Sequence, residues 1–318
     1  MRISFGVEEK IKLLSTIHTW SRDQLTQDIF RKIQVKYGIP AFLTETMFWH
    51  MEILYRLLPI SEYLIFKGGT CVQSYIDPMF QRASNDLDFN TTIQNHNALI
   101  QKIEEINKQL RNQGTAVEIQ GIPYGFFEFE SADKASGTLN FRHRMPSRFG
   151  EYEHVAGNDV QAKPIRVQIN CKHAWLPAIK KVIKPVEFYV MEEAKPVEAV
   201  VFPHSSIEDL IADKIMATQV HTGRERFKDV YDLKVLFNLD FDRTAVNTKL
   251  ALIAKETGRD AGQLLKSSAN TVMAFGDRSN EAQGFASMVC RGGKELIKGW
   301  EIMCEKTART ILLLGQER

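Results

Sequence analysis

Apolar residues recur at helical spacing in the first part of the chain. Within residues 8–36 they return every three or four positions, a pattern that predicts amphipathic helices. Residues 37–40 read YGIP, and glycine and proline end such a pattern. A second amphipathic helix is predicted over residues 43–58, with its Met and aromatic side chains in the core. We therefore expect a helical segment over residues 1–60.

The pattern changes at residue 63, where short apolar runs and alternating residues begin. Tyr63–Phe66 predicts a strand, 71–77 a helix, Leu87–Thr92 a strand and 96–113 a polar helix. Further alternation predicts strands in four later segments, 115–131, 136–145, 163–170 and 185–191. We therefore expect an α+β core over residues 61–202 with a mixed sheet and flanking helices.

Helical spacing returns after residue 203 and continues to the end. Ser205 and Glu208 have the spacing of a capping box, which predicts a helix start there. We expect residues 203–318 to form a helical C-terminal domain.

Composition narrows the class of protein. The 318 residues are 44% hydrophobic and 25% charged, with a net charge of +2, which is typical of a globular protein. No apolar stretch of membrane-spanning length exists, and the first residues lack the apolar core of a signal peptide, so we expect a cytoplasmic protein without a membrane partner. The four cysteines form no CxxC pair, so a disulfide framework or a zinc site is not expected.

Two short motifs carry candidate chemistry. Gly68, Gly69 and Thr70 follow a predicted strand and open a predicted helix, where backbone N–H groups favour an anion, although an ordinary glycine turn is an alternative. Asp86 and Asp88 are two apart on a predicted strand and therefore share a face. Two such carboxylates suit Mg²⁺ bound together with substrate phosphates, but a solvated strand edge is the alternative. At this spacing the two motifs have the layout of polymerase-β-type nucleotidyltransferases.

Three separated pieces resemble one family, the AbiEii/AbiGii-type toxin nucleotidyltransferases, which include mycobacterial tRNA-modifying toxins. The phrase FKGGTCVQSYI is similar to the family's glycine turn. QRASNDLDFN is similar to its strand motif, with matches at Arg82, Ser84, Asp86, Asp88 and Phe89. DKIMATQVHTGRERFKDVYDLKVLF is similar to its late helical pattern of a Lys followed by RDLYDL. The resemblance covers about residues 40–240 and implies a polymerase-β-like core.

The resemblance also implies roles for single residues. Asp86 and Asp88 would hold Mg²⁺, Lys214 would contact the triphosphate, and Asp229 would orient the nucleotide or the incoming hydroxyl, with Asp232 as the alternative late carboxylate. The implied NTP and phosphate contacts are Gly68, Gly69, Thr70, Arg82, Ser84 and Lys214. Many relatives carry a third carboxylate where this chain has Gln168 and Asn170. The site then works with two carboxylates, or Glu128 or Glu130 contributes.

Basic residues suggest where RNA would bind. Arginines on or near predicted strands give a positive face suited to an RNA end, while a solvated sheet face is an equal alternative. The candidates are Arg142, Arg144, Arg148 and Arg166. The resemblance implies a toxin with an antitoxin encoded by a neighbouring gene, which adds nucleotides from an NTP to an RNA 3′ end, the tRNA acceptor end above all. The alternatives are nucleotide transfer to a protein or small molecule, and a catalytically silent RNA- or antitoxin-binding module.

Overall fold

A computed structural model describes residues 18–20, 25–119, 121–133, 135–149, 152–155, 158–171, 179–220 and 226–316. Much of the helical pattern predicted over residues 8–36 lies outside these ranges. The chain divides into two compact units. The first unit comprises Met1–Phe66, Ala83–Lys172 and Ile183–Pro203, and the second comprises Lys67–Arg82, His173–Val182 and His204–Arg318. The division into segments 1–60, 61–202 and 203–318 stays a prediction.

The helices agree with the predicted pattern in kind, but the helix predicted over 71–77 begins earlier, at Gly68, and ends at Gln73. Within the described residues they are α1 (Gln27–Tyr37), α2 (Ala41–Arg56), α3 (Gly68–Gln73), α4 (His96–Asn112), α5 (Ile207–Val220), α6 (Phe227–Leu236), α7 (Arg243–Thr257), α8 (Ala261–Gly276), α9 (Ser279–Phe285), α10 (Arg291–Lys298) and α11 (Trp300–Leu314). The α1 helix ends at Gly38, which has a left-handed φ of 73°, as the YGIP break predicted.

The strands of the described residues are β1 (Leu64–Lys67), β2 (Asp86–Thr91), β3 (Val117–Ile119), β4 (Ile122–Tyr124), β5 (Phe127–Asp133), β6 (Thr138–Pro146), β7 (Tyr152–Val155), β8 (Asn158–Asn170), β9 (Lys181–Pro185) and β10 (Val201–Ser205). One sheet has the order β5-β6-β8-β2-β1-β10-β9, with β7 also paired to β8. The β2 strand runs parallel to β8, whereas β6 is antiparallel to β8. The sheet is therefore mixed, and the predicted α+β fold class is confirmed.

The two faces of this sheet differ in chemistry. Leu87 and Phe89 on β2 and Val167 on β8 are buried, so this face forms the core of the first unit. The alternate residues of β2, Asp86 and Asp88, lie on the opposite face and are half-buried. The predicted alternation across the Asp-x-Asp strand is thus present.

Some predicted strands were wrong in extent. The segment 115–131 contains β3, β4 and the start of β5, because Gly121 and Gly125 turn the chain with φ values of 77° and 80°. The segment predicted over 185–191 is a strand only to Pro185, and Tyr189–Glu192 form a short 3-10 helix. The β10 strand was not predicted, because its five residues are interrupted by Pro203 and show little alternation.

The helices α5 to α11 belong to the second unit. The α5 helix begins at Ile207, and the Ser206 hydroxyl accepts a bond of 3.3 Å from the Asp209 backbone N–H. The cap is therefore Ser206, one residue after the predicted Ser205. The helical nature of the C-terminal region is as predicted. Among the described residues, the helices include none that has the length and apolar character needed to cross a membrane.

Candidate active site

The first candidate part of the site is the Asp-x-Asp strand of the first unit. Leu87 is fully buried on the core face of β2. Since alternate residues of a strand point to opposite faces, Asp86 and Asp88 on either side of it lie on the polar face. In the parallel pairing with β8, Asp86 lies opposite Arg166 and Asp88 lies opposite Gln168. Ser84, two residues before β2, is buried, with 9% of its surface exposed. The strand geometry therefore brings two carboxylates, one guanidinium and one amide to the same face.

The structure bears on the two explanations for the missing third carboxylate. Glu128 lies 2.6 Å from the Arg144 guanidinium, and Glu130 is ion-paired with Arg142. Both glutamates are on β5, which is separated from β2 by β6 and β8, a distance of about 14 Å at the usual strand spacing. This separation disfavours a contribution from Glu128 or Glu130.

The carboxylate pair fits a hard divalent cation. Among the described residues no group of three or more His, Cys, Asp and Glu side chains could hold a metal ion. A cation at β2 would therefore depend on Asp86 and Asp88 together with oxygen atoms from elsewhere. Mg²⁺ is commonly bound in this way, by one or two carboxylates, water and substrate phosphates.

The glycine turn belongs to the second unit, and the structure explains why glycine is needed at both positions. Gly68 has a φ of 74°, in the left-handed region that favours glycine. A Cβ atom on Gly69 would lie 2.3 Å from Nη2 of Arg82, so this guanidinium packs directly against the backbone. Thr70 is fully buried, and α3 is only six residues long. The turn thus accommodates Arg82, while its contact with phosphate stays a prediction.

A buried ion network lies in the second unit. Arg82 donates from Nε and Nη2 to the two carboxylate oxygens of Asp232, at 2.8 and 2.7 Å. The Lys214 ammonium lies 2.6 Å from Asp229 and 2.7 Å from Asp232. Arg226 completes the network with a bond of 2.6 Å to the other oxygen of Asp229. We call these five residues the ion network.

The ion network carries an excess of positive charge, since it contains three cations and two carboxylates. Burial alone raises the pKa of Asp229, but Lys214 and Arg226 outweigh burial and lower this pKa to about 2. Burial lowers the pKa of Lys214, and the two aspartates raise it above its usual value. Asp229 and Lys214 are therefore both charged at neutral pH. A buried excess cation is the setting in which an anionic ligand is most strongly attracted.

Lys214, Asp229 and Arg82, predicted from separate parts of the chain, are thus joined in one network. Asp232, the predicted alternative to Asp229, contacts both Arg82 and Lys214. Arg226 was not predicted individually. The only signal for it was the basic run GRERF that precedes α6.

The four arginines predicted to contact RNA do not form one positive face. Arg144 is buried against Glu128 and the Pro123 carbonyl, and Arg142 is paired with Glu130. Arg148 donates to the Leu25 carbonyl. Arg166 is exposed, and its side chain has no hydrogen bond or ion pair with any other residue that the structure describes. Arg166 is therefore the strongest of the four candidates for a ligand contact.

Comparison with known proteins supports the same class of fold. MenT4, a nucleotidyltransferase toxin from Mycobacterium tuberculosis, is similar with a TM-score of 0.55 and 13% identity, over 90% of this chain and 89% of MenT4. A putative nucleotidyltransferase from H. pylori has a TM-score of 0.43 and 12% identity, over 92% of this chain and 100% of the other. No curated protein matches the sequence. At this identity the MenT4 likeness establishes the fold.

The family match establishes the activity. Residues 52–295 match the family described as nucleotidyl transferase AbiEii toxin of type IV toxin–antitoxin systems. This range is well over half of the chain and contains the glycine turn, Asp86, Asp88 and the ion network. Enzymes of this type typically use a divalent metal, and a toxin of this kind implies a nucleotide substrate and an antitoxin. The chain therefore belongs to the AbiEii family of toxin nucleotidyltransferases.

Proposed function

We propose that this enzyme transfers nucleotides from an NTP to the 3′ end of RNA, specifically the acceptor end of tRNA, with Mg²⁺ at Asp86 and Asp88. The observation that carries the proposal is the carboxylate pair on one polar face of β2, beside the exposed Arg166. The choice of tRNA follows the likeness of the sequence motifs to a family that includes tRNA-modifying toxins.

In this proposal Asp86 and Asp88 would hold the divalent ion, which when bound would offset part of the negative charge on the triphosphate and on the attacking oxygen. The RNA 3′-hydroxyl oxygen forms a bond to the α-phosphorus, and its proton passes to solvent. The bond from the α-phosphorus to the oxygen that bridges it to the β-phosphate breaks, and pyrophosphate leaves with that electron pair. No covalent enzyme intermediate is needed.

The ion network would bind the triphosphate through its cationic side chains. Its excess positive charge is supplied by side chains that are already held in place, so little reorganisation accompanies phosphate binding. Lys214 is proposed to contact the triphosphate or the pyrophosphate that leaves, since an ammonium is a compact point charge. Asp229, which bonds Lys214 at 2.6 Å, would orient that ammonium.

The test is transfer from each labelled NTP to total tRNA in the presence of Mg²⁺. Label is expected on tRNA, and Asp86→Asn should reduce its rate on the order of a thousandfold, the value of several kcal/mol of charge stabilisation. Glu105→Gln, which changes an exposed carboxylate on α4, is the matched control and should keep full activity. Label on protein or on a small molecule instead would support the first alternative. Absence of any transfer would support a silent binding module.

The metal is tested by changing the ligand that binds it. In Asp86→Cys a thiolate replaces a carboxylate, and thiolates bind soft metal ions better than Mg²⁺. We expect activity of this variant to be lost with Mg²⁺ and partly restored by Mn²⁺ or Cd²⁺. Glu105→Cys is the control for nonspecific effects of the added ions. Equal activity with Mg²⁺ in wild type and Asp86→Cys would contradict a metal site at Asp86.

A further inference from the structure

A row of uncharged polar side chains extends across the first unit from the Asp-x-Asp strand. Asp88 on β2 is opposite Gln168 on β8, and Gln168 is opposite Asn140 on β6. Asn140 is opposite Ser131 on β5. Their neighbours along each strand, such as Leu139 and Ile169, are buried, so the row lies on the polar face of the sheet. We call Gln168, Asn140 and Ser131 the amide row.

Hydrogen bonds give the amide row a direction. Gln168 Nε2 donates to Asn140 Oδ1 at 2.7 Å, and Asn140 Nδ2 donates to Ser131 Oγ at 3.1 Å. The nitrogen of the Gln168 amide is thus turned toward β6, which turns its oxygen away from β6. Among the residues that the structure describes, none donates a hydrogen bond to Gln168 Oε1. The row therefore holds one acceptor oxygen in a defined orientation, on the strand next to Asp88.

The chemistry of this oxygen differs from that of a carboxylate. A neutral amide oxygen attracts a cation more weakly than a carboxylate does, but it readily accepts a bond from a hydroxyl group. Gln168 is half-buried, so such a bond is partly shielded from water. The position next to Asp88 on β8 is therefore better suited to a hydroxyl donor than to a further metal ion.

We infer that Gln168 Oε1 accepts a hydrogen bond from the 2′-hydroxyl of the terminal ribose of the acceptor RNA, and that Asn140 is a positioning residue for Gln168. This inference rests on the proposed transfer to an RNA 3′ end. Under that proposal the triphosphate is served by the cationic ion network, whereas the amide row is uncharged and suits the sugar that carries the attacking hydroxyl. A 2′-hydroxyl is the group by which a protein distinguishes RNA from DNA.

The kinetic test uses one RNA oligonucleotide with either a ribose or a 2′-deoxyribose at its 3′ end. Gln168→Ala should raise KM for the ribose-ended acceptor about three- to tenfold, the value of one hydrogen bond, and leave KM for the deoxyribose-ended acceptor and for NTP unchanged. Gln168→Glu keeps an acceptor oxygen but has no donor for Asn140 Oδ1, so it should keep only part of the ribose preference. Asn140→Ala should lose part of the preference, about twofold, with kcat unchanged. A ribose preference that is the same in Gln168→Ala and wild type would overturn the inference.

A binding measurement separates this inference from the proposed function. Fluorescence anisotropy of the two oligonucleotides, without NTP, reports ribose preference even if the enzyme transfers nothing to RNA. A preference that is present in wild type and Glu105→Gln but lost in Gln168→Ala supports the inference, whatever the transfer assay gives. No ribose preference in wild-type binding and kinetics overturns it, while transfer to RNA that still needs Asp86 would leave the proposed function standing.

Discussion

The aspartate pair Asp86/Asp88 and the aspartate pair Asp229/Asp232 differ in their surroundings. Asp86 and Asp88 are half-buried on a strand of the first unit, on the polar face of the sheet. Asp229 and Asp232 are buried on a helix of the second unit and contact three cationic side chains. The first pair keeps partial contact with solvent, whereas the second pair is buried together with cationic side chains of the protein.

The burial of an aspartate pair determines how much it contributes to stability. A buried aspartate pair needs cationic side chains in contact with it. The bonds that supply this charge also hold Arg82 and Lys214 in place. A half-buried pair loses less of its contact with water on folding than a buried pair does, so its removal should cost less stability. The first pair should therefore matter mostly to activity, and the second pair to both stability and activity.

Removing one carboxylate of the pair Asp229/Asp232 should have the greatest effect on the free energy of unfolding. Asp232→Ala leaves the buried Arg82 guanidinium without its carboxylate and should lower the free energy of unfolding by about 3–5 kcal/mol. Asp88→Ala should lower it by less, because Asp88 is half-buried whereas Asp232 is fully buried. Urea denaturation of both variants checks this. Equal destabilisation by the two substitutions would contradict the comparison, and the double variant Arg82→Met/Asp232→Leu should be more stable than Asp232→Ala.

The buried carboxylate of Glu45 should make stability depend on pH in the opposite direction to Asp229. Burial raises the pKa of Glu45 from 4.5 to about 7, and bonds from the Arg148 backbone and Ser147 only partly oppose this. Since the folded pKa lies above the unfolded one, the stability from Glu45 is fully present below pH 4.5 and is lost as the pH rises through 7. The loss is of order 3 kcal/mol.

Glu45→Gln should remove this dependence. Its free energy of unfolding, measured by urea denaturation at pH 5 and pH 8.5, should fall less with pH than that of wild type. Asp229 has the opposite sign: its pKa is about 2, so its contribution is present above its ordinary value of 3.8 and is lost as the pH falls toward 2. A parallel pH profile for wild type and Glu45→Gln would show that Glu45 does not titrate in this range.

The substitution Gly69→Ala tests how firmly Asp232 holds the Arg82 guanidinium. The added methyl of Gly69→Ala would meet a guanidinium that is fixed by two bonds to Asp232, so we expect a loss of about 1–3 kcal/mol. Gly284→Ala is the matched control, because no atom lies within 4 Å of the added Cβ and alanine favours α9. Thermal denaturation of both variants checks this, and an unchanged Tm for Gly69→Ala would mean that Arg82 moves freely.

Arg166, which lies opposite Asp86 on the neighbouring strand, should contribute least to stability. Arg166→Ala should leave stability within about 0.5 kcal/mol, because the side chain is exposed. It should also reduce the dependence of log K for RNA binding on log salt by about 0.7, the value of one phosphate contact with a single strand. Binding isotherms at several salt concentrations measure this slope. Arg142→Ala, which removes an exposed ion pair with Glu130, is the comparison, and an equal change in both would indicate a diffuse charge effect.

Local pattern was sufficient for most elements and for the polar face of the key strand. Period-two alternation predicted that Asp86 and Asp88 share a face, because side-chain direction on a strand follows from residue spacing alone. The same reasoning failed over 115–131, where glycine turns divide an apparently continuous strand, and at β10, whose short run has no clear period. The first failure arises because turn geometry overrides periodicity, and the second because so short a strand carries no periodic signal.

The α+β class, the helical C-terminal region, the family motifs and the sharing of faces within single elements could therefore be predicted from local pattern. The partners of each charged side chain could be identified only in the folded chain. Arg82 and Asp232 are 150 residues apart and Gln168 and Asn140 are 28 apart, so neither contact follows from local spacing. Ion pairs and cross-strand hydrogen bonds depend on which distant elements become neighbours, and this is settled by the packing of the whole unit. The function of Gly69 as a contact for Arg82, and of Asp232 as the residue joining Arg82 to Lys214, became visible only there.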